Sequence, residues 1–303
     1  MNSRVRHTLF PLLAAAIWGT AFVAQSVSTD FVRPFTFNFL RSVVAFFVLL
    51  LILCLFRLAR RKTAASTPQK PTDRKALWLG GVCCGTALAA ASYLQQAGLS
   101  DTSAGKAGFI TALYIVLVPV LGLFLHKRAS LPVWIAVAAA VVGLYLLCVR
   151  ENFTIGAGDA YVFACALVFA VHILLIDRFA GRMDGIALSC VQFAVMALLS
   201  GAGMLLFETV DRAAIGQCIG PILYVGVFSS GVAYTLQILA QKDADPTVVS
   251  LLLSLESVFS VLAGAVILHE RLTGREYIGC AFMFIAVILA QLPADICKRK
   301  VNR

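Results

Sequence analysis

Apolar residues follow one another along this chain in long runs, separated by short polar or charged segments. A helix of roughly 20 apolar residues crosses the ~30 Å hydrocarbon core of a bilayer. A membrane β-strand would instead show alternating polar and apolar positions, which these runs lack. The pattern predicts ten helices, at 8–27, 34–56, 76–99, 105–125, 132–149, 158–176, 185–207, 216–240, 246–268 and 275–292. The predicted fold is therefore an all-α membrane protein with ten transmembrane helices.

Composition agrees with a chain whose main surroundings are lipid. Hydrophobic residues make up 60% of the 303 positions and charged residues 13%, with a mean hydropathy of +0.91. Soluble domains hold about 45–50% apolar residues. Residues 57–75 form the one long polar segment and are predicted to be a loop. Met1 to His7 and the first run resemble a signal peptide, but the run is long enough to span, so it is predicted to be retained.

The basic residues lie between the apolar runs rather than on one soluble face. The net charge of +10 raises the possibility of a nucleic-acid partner, but this distribution argues against one. If the N-terminus is cytoplasmic, eighteen Lys and Arg residues fall in cytoplasmic segments and six in outer segments, with Arg41 inside a span. This bias predicts a multi-pass protein of the inner cell membrane with both termini in the cytoplasm, and the lipid bilayer as a partner.

The two halves of the chain resemble each other weakly. At an offset of 151, Ala15, Trp18, Gly19 and Arg41 align with Ala166, Phe169, Ala170 and Gln192. At an offset of 143, His126, Arg128, Trp134, Ile135 and Gly143 align with His269, Arg271, Tyr277, Ile278 and Ala286. These matches align spans one and two with six and seven, and span five with ten.

The repeat unit is five helices long, which divides the chain into residues 1–150 and 151–303. Because five is odd, the second unit must enter the bilayer from the opposite side. The prediction is therefore two inverted five-helix repeats related by a pseudo-two-fold axis in the membrane plane. Such repeats are typical of transporters that alternate access around a central site.

Four stretches resemble motifs of a known family. They are 14–22 with its Trp-Gly pair, 35–45 with Arg41, 250–259 with Leu-Glu-Ser-Val-Phe, and 269–273 with His-Glu-Arg-Leu-Thr. On these residues the chain resembles the EamA-type, ten-helix branch of the drug/metabolite transporter superfamily. Ser257 and His269 replace the Pro and Gly usual there, and Lys127 stands where the first half of the family usually has Glu.

The resemblance implies a secondary transporter of small metabolites, most often an exporter of amino acids or related compounds, working by alternating access. An efflux carrier for drugs or toxic compounds is the alternative within the same superfamily. Protons are one candidate coupling ion, and both a monomer and a homodimer remain open.

Two charged residues lie well inside predicted spans, Arg41 in the second and Glu256 in the ninth. A charge in hydrocarbon costs at least ~2.5 to 3.5 kcal/mol on insertion scales, so such residues are functional candidates. Arg41 can hold a carboxylate through two donors, and Glu256 can carry a proton or meet an amino group. The structural alternative is that each is satisfied by neighbouring polar groups, with Arg41 near enough to the outer face to anchor its helix.

Further candidates for substrate binding or coupling are polar or aromatic residues within spans. His172 could relay protons with Asp177, although packing as a neutral histidine is the simpler interpretation. The amides Gln95, Gln96, Gln192 and Gln237, together with Asn38, Ser92, Ser229, Ser230 and Ser254, could line a cavity or bond between helices. The aromatic residues Trp18, Tyr93, Tyr114 and Tyr234 could form a wall against a substrate.

Other classes of protein find little support in the sequence. Gly156 to Asp159 matches the G-x-G-D string of intramembrane aspartyl proteases, but Asp159 opens its helix and is explained as a carboxylate that accepts from free N–H groups there. His269-Glu270 lacks a second zinc-binding histidine, no Walker-type loop occurs, and the nine cysteines lack metal spacing, so no enzyme, metal or cofactor is predicted. A membrane scaffold is disfavoured because all predicted loops but one are short.

Overall fold

The computed structural model describes residues 3–62, 73–102, 104–127, 129–148, 156–242, 244–267 and 273–291. Every regular element in these ranges is helical, which confirms the predicted all-α fold. The elements are α1 (Ser3–Ser28), α2 (Pro34–Lys62), α3 (Arg74–Leu99), α4 (Ala104–Ala112), α5 (Tyr114–Phe124), α6 (Leu131–Cys148), α7 (Ala157–Ala180), α8 (Gly185–Phe207), α9 (Arg212–Gln217), α10 (Ile219–Tyr224), a π-helical segment (Val225–Ala233), α11 (Tyr234–Gln241), α12 (Pro246–Leu253), α13 (Glu256–Ile267) and α14 (Gly274–Ala290). The predicted motif residues 269–272 and the predicted tail after 291 lie outside the described residues.

Eight helical stretches of the described chain are long and apolar enough to cross a membrane. They are Arg6–Ser28, Pro34–Leu58, Arg74–Leu99, Lys106–Phe124, Ala157–Ala180, Gly185–Phe207, Ile219–Gln241 and Pro246–Ala263. Each coincides with a predicted span. The other two predicted spans, 132–149 and 275–292, correspond to the shorter helices α6 and α14, of 18 and 17 residues.

Large apolar side chains cover much of the molecular surface. Phe124 and Leu205 are each 78% exposed, and Leu198 is 74% exposed. In water such a surface would be strongly unfavourable, whereas lipid tails solvate it well. The outer surface of the helical assembly is therefore suited to a bilayer.

Acidic residues define where several helices begin. Asp73 accepts hydrogen bonds from the first N–H groups of α3, and Asp184 does the same for α8. Asp245 caps α12, which then opens with Pro246, a residue whose missing N–H costs nothing at that position. These caps satisfy N–H donors that would otherwise be unpaired in the first turn of each helix.

Three of the predicted continuous spans are interrupted. The fourth breaks at Leu113, between α4 and α5, and the ninth breaks at Ser254 and Leu255, between α12 and α13. The hydroxyl of Ser254 donates to Leu251 O at 2.8 Å, which competes with main-chain pairing at that turn. The eighth span contains nine residues of π-helix. Hydropathy could not reveal these breaks because apolar residues flank all of them.

Glycines allow pairs of helices to touch through their backbones. A Cβ atom built on Gly143 of α6 would lie 2.9 Å from Gly279 O of α14, and the reverse distance is also 2.9 Å. A Cβ on Gly19 of α1 would lie 2.7 Å from the carbonyl oxygen of Glu256. Small residues at such crossings are typical of membrane helix packing. The second contact brings α1 directly against the break in the ninth span.

Candidate functional site

A cavity lies at the centre of the helical assembly, where the interrupted helices meet α1, α2, α3 and α7. It holds about 490 Å³ of space not occupied by protein atoms, part of it open to the exterior. Its lining residues are Trp18, Phe22, Gln25, Arg41, Gln95, Thr111, Tyr114, Phe169, Ile173, Ser229, Tyr234, Gln237, Leu253 and Glu256. Half of these residues are aromatic or aliphatic, and the other half are three amides, Thr111, Ser229 and two ionisable residues of opposite charge.

Of the eleven charged, histidine, glutamine and aromatic residues predicted from the sequence as site residues, seven line this cavity, and so does Ser229 among the further polar candidates. The seven are Trp18, Arg41, Gln95, Tyr114, Tyr234, Gln237 and Glu256. They come from both halves of the chain and are brought together by the packing of six spans.

Glu256 is the first residue of α13 and lies directly after the break in the ninth span. It is 5% exposed, and its carboxyl group accepts a hydrogen bond of 3.3 Å from the hydroxyl of Tyr114. Tyr114 is itself the first residue after the break in the fourth span. Each break thus presents one polar side chain to the cavity, and the two side chains meet there.

Arg41 lies on α2 and is only 3% exposed, so its side chain does not reach the protein surface. Its Nη1 donates to Gln25 Oε1 at 3.2 Å, and its Cζ lies 5.7 Å from the centroid of the Phe37 ring. Its Nε–H has no hydrogen-bond partner among the described residues. Part of the donor capacity of this guanidinium is therefore unused beside the cavity.

Aromatic packing shapes one wall of the cavity. The rings of Trp18 and Tyr234 lie 4.8 Å apart between centroids. Trp18 Nε1 donates to Ser229 O at 3.3 Å, a carbonyl that lies within the π-helical segment. Behind Tyr234, the ring of Phe193 packs at 5.6 Å. This packing leaves little freedom to Trp18 and Tyr234.

The other four predicted site residues do not line the cavity. The ring of Tyr93 stacks on Phe35 at 4.2 Å, and Gln96 Nε2 donates to Gln25 O at 3.2 Å. His172 and Gln192 contact each other, with 3.3 Å between His172 Nε2 and Gln192 Oε1. The His172 ring lies 6.1 Å from that of Tyr234, so His172 supports the cavity wall from behind.

Six lining residues were not predicted as site residues: Phe22, Gln25, Thr111, Phe169, Ile173 and Leu253. Two could have been found from helical spacing. Gln25 is a polar residue two turns after Trp18, and Thr111 lies one turn before Tyr114, so each shares a helix face with a predicted site residue. The apolar members carry no signal that separates them from ordinary core residues.

Asp159 belongs to a second polar cluster, away from the cavity. It lies in the first turn of α7, where its carboxylate accepts from Gly156 N at 2.7 Å, Thr102 Oγ1 at 2.8 Å and Lys106 Nζ at 2.5 Å. Asp159 thus accepts from a free N–H at the helix start as predicted, but the N-cap residue is Gly156, and Asp159 lies three residues after it. At the other end of α7, Asp177 pairs with Lys127 rather than with His172. The fourth and sixth spans are thus joined by an ion pair at each end.

Within the described ranges, no group of three or more His, Cys, Asp or Glu side chains is placed to hold a metal ion. The cavity is lined by ionisable, amide, hydroxyl, aromatic and aliphatic side chains. These can bind an anionic group, accept hydrogen bonds or a proton, and pack against an apolar body.

Comparison with known proteins identifies the family. A sequence model of the EamA-like transporter family matches this chain twice, over residues 7–149 and 156–292. An uncharacterized transporter of Archaeoglobus fulgidus is 31% identical, with 92% of this chain and 84% of that protein covered. An uncharacterized transporter of Synechocystis sp. is 23% identical, with 95% and 90% covered.

A solved crystal structure has the same fold. It superposes with a TM-score of 0.77 at 21% sequence identity, and 98% of this chain and 99% of that chain are covered. At this identity the likeness concerns the fold alone. Together with the family matches and the eight apolar helices, it identifies the chain as a multi-pass membrane protein that belongs to the EamA-like transporter family.

Proposed function

We propose that this protein is a secondary transporter that exports small metabolites, amino acids or related compounds, by alternating access. The observation that carries the proposal is the central cavity, where Arg41 and Glu256 are both buried at the depth of membrane-spanning helices. Ionisable groups at such positions are costly and are typically retained for recognition or coupling. The exposed apolar surface supports a position of the cavity within a bilayer, where a transported molecule would pass.

The proposed architecture has ten transmembrane helices in two inverted repeats, 1–150 and 151–303. The two matches to one family model, over 7–149 and 156–292, support this division. Helix packing supports it as well. The pseudo-two-fold axis would exchange each span of one repeat with the span five positions away in the other. The contact of α2 with α8 and that of α6 with α14 each join two spans that exchange with one another. The contact of α3 with α7 has its counterpart in the contact of α11 with α1.

The cavity lining also supports the repeat, because ten of its fourteen residues form pairs at two fixed offsets. At 151 residues, Trp18 pairs with Phe169 and Phe22 with Ile173; at 142 residues, Gln95 pairs with Gln237, Thr111 with Leu253, and Tyr114 with Glu256. The two helix breaks, at Leu113 and Leu255, are also 142 residues apart. A pseudo-two-fold axis through the cavity accounts for these pairs, and rocking about it would expose the cavity to either side.

We propose that the protein lies in the inner cell membrane with both termini in the cytoplasm. This orientation rests on the excess of Lys and Arg in one set of loops. On that side, Gln241 Nε2 donates to Ile173 O at 2.9 Å and Lys127 pairs with Asp177. These contacts join the sixth span to the fourth and eighth, and would have to separate when the cavity opens toward the cytoplasm.

Glu256 is the proposed coupling residue, because it is a carboxyl group beside the transport path with a single hydroxyl partner, Tyr114. Proteoliposomes carrying a pH gradient test this role. Glu256→Gln should lose transport driven by the gradient while still folding. Asp73→Asn is the matched control, since Asp73 is an exposed helix cap and Asn caps equally well. Full gradient-driven transport by Glu256→Gln would exclude the coupling role.

The function itself is tested by comparing the extracellular and intracellular metabolites of cells that contain or lack the protein. Export should raise one extracellular pool and lower its intracellular counterpart, and cells expressing Glu256→Gln should lose the difference. Unchanged pools would contradict metabolite export. An effect confined to added toxic compounds would indicate drug efflux instead.

A further inference from the structure

We propose that the cavity holds a receptor for an anionic group, formed by Arg41 and positioned by Gln25, and that the transported molecule carries a carboxylate. The inference rests on the proposed transport function and adds the charge of the cargo. It names Gln25 as a positioning residue, a role that hydropathy did not indicate.

No carboxylate among the described residues forms an ion pair with Arg41. Asp159 and Asp177, by contrast, are each paired with a lysine. Its partners are the neutral amide of Gln25 and the ring of Phe37. A buried cation without a counter-ion is unfavourable, so an incoming anion would find both an uncompensated charge and the unused Nε–H donor.

Gln25 is itself held in place. Its main-chain oxygen accepts from Gln96 Nε2 at 3.2 Å and from Ser28 Oγ at 2.6 Å, while its side-chain oxygen accepts from Arg41 at 3.2 Å. Because the amide is neutral, it orients the guanidinium without cancelling its charge. A glutamate at this position would orient the guanidinium but would also cancel its charge.

The receptor belongs to one half of the protein alone. At the offset of 151 residues, the counterparts of Arg41 and Gln25 are Gln192 and Ile176, and neither lines the cavity. Glu256, from the other half, would repel a second anionic group. The cargo is therefore expected to bind in one orientation, with its anionic end at α1 and α2.

A carboxylate suits this receptor better than other charged groups. It is planar, and the donor fork of a guanidinium matches it with two parallel hydrogen bonds. The remaining wall, with Phe22, Phe169 and Leu253, accommodates an apolar body. The expected cargo is a small carboxylate with an apolar part rather than a cation or a neutral polyol.

Calorimetric titration of the purified protein in detergent tests the proposal. The probes are small monocarboxylates from acetate to 3-phenylpropionate, each paired with its neutral amide. We expect the preferred acid to bind roughly 10-fold or more tightly than its amide, since hydrogen bonds to charged groups are about twice as strong. Arg41→Gln should abolish this preference. Arg275→Gln, which removes a half-buried guanidinium that stacks on Tyr145 and does not line the cavity, should keep it.

Gln25→Glu gives a second test that keeps Arg41 intact. The new carboxylate would pair with the guanidinium and compete with the ligand, so the acid should lose its advantage over the amide in a protein that elutes as the wild type does. The proposal would be overturned if acids and their amides bind the wild type with equal affinity, or if none of them binds. A preference that survives Arg41→Gln would overturn it as well. Because binding is measured without transport, a loss of metabolite export alone would leave the inference standing.

Discussion

The hydroxyl of Tyr114 donates a hydrogen bond to the carboxyl group of Glu256 across 3.3 Å, at the meeting point of two broken helices. Each residue opens the second part of its span, α5 or α13, and the two lie 142 residues apart along the chain. The contact thus joins corresponding positions of the proposed repeats. A motion of one half against the other would act directly on this bond.

The Tyr114–Glu256 bond is expected to couple the two residues energetically. In a double-mutant cycle with Tyr114→Phe and Glu256→Leu, each of which removes one partner of the bond, the single changes should not add, and the coupling free energy should be about 1 kcal/mol. Unfolding by denaturant in detergent micelles measures it. Additive effects would mean that the bond contributes nothing to stability.

Close packing of α6 on α14 depends on the absence of side chains at Gly143 and Gly279. Gly143→Ala should lower the free energy of unfolding by about 1–3 kcal/mol, because the added carbon meets Gly279 O at 2.9 Å. Gly108→Ala is the control: nothing lies within 4 Å of a Cβ built there. It should be neutral or slightly stabilising, since alanine restricts the unfolded chain. Equal effects of the two substitutions would contradict this packing.

The two ion pairs that join the fourth and sixth spans should differ in strength. Asp159 is 5% exposed and accepts from three donors, whereas the side chain of Lys127 in the other pair is 42% exposed. Asp159→Ala should therefore cost about 2–3 kcal/mol of unfolding free energy, and Asp177→Ala less than about 1 kcal/mol. Chemical unfolding of both variants at the same salt concentration gives the comparison. The reverse order would show that burial does not set the strength of these pairs.

Glu208 fixes the start of α2, the helix that carries Arg41. Its two carboxyl oxygens accept from Phe35 N, Thr36 N and Thr36 Oγ1, each at 2.8 Å. Glu208→Ala should destabilise the protein by about 1–3 kcal/mol and raise amide exchange in the first turn of α2. Glu208→Gln keeps one accepting oxygen and should lose less. Unchanged exchange in Glu208→Ala would show that the first turn of α2 does not need this contact.

Hydropathy was sufficient for the helical class of the fold and for the positions of the eight helices that are long and apolar enough to cross a membrane. Whether a stretch such as Gly185–Phe207 crosses a bilayer depends on its own length and composition, because lipid acts on each span separately. The same local reasoning identified Arg41 and Glu256 as candidate site residues. A charge within an apolar run is unusual whatever the run packs against.

Tertiary structure decided which polar residues face the cavity. Gln95 lines it while the adjacent Gln96 binds the backbone of α1, a difference set by the rotation of α3 against its neighbours. His172 lies behind Tyr234, and Gln25 meets Arg41 from another helix. The breaks at Leu113 and Leu255 are likewise absent from hydropathy. The sequence by itself determined which segments prefer lipid, because that preference is local, whereas the site depends on packing between segments far apart in the chain.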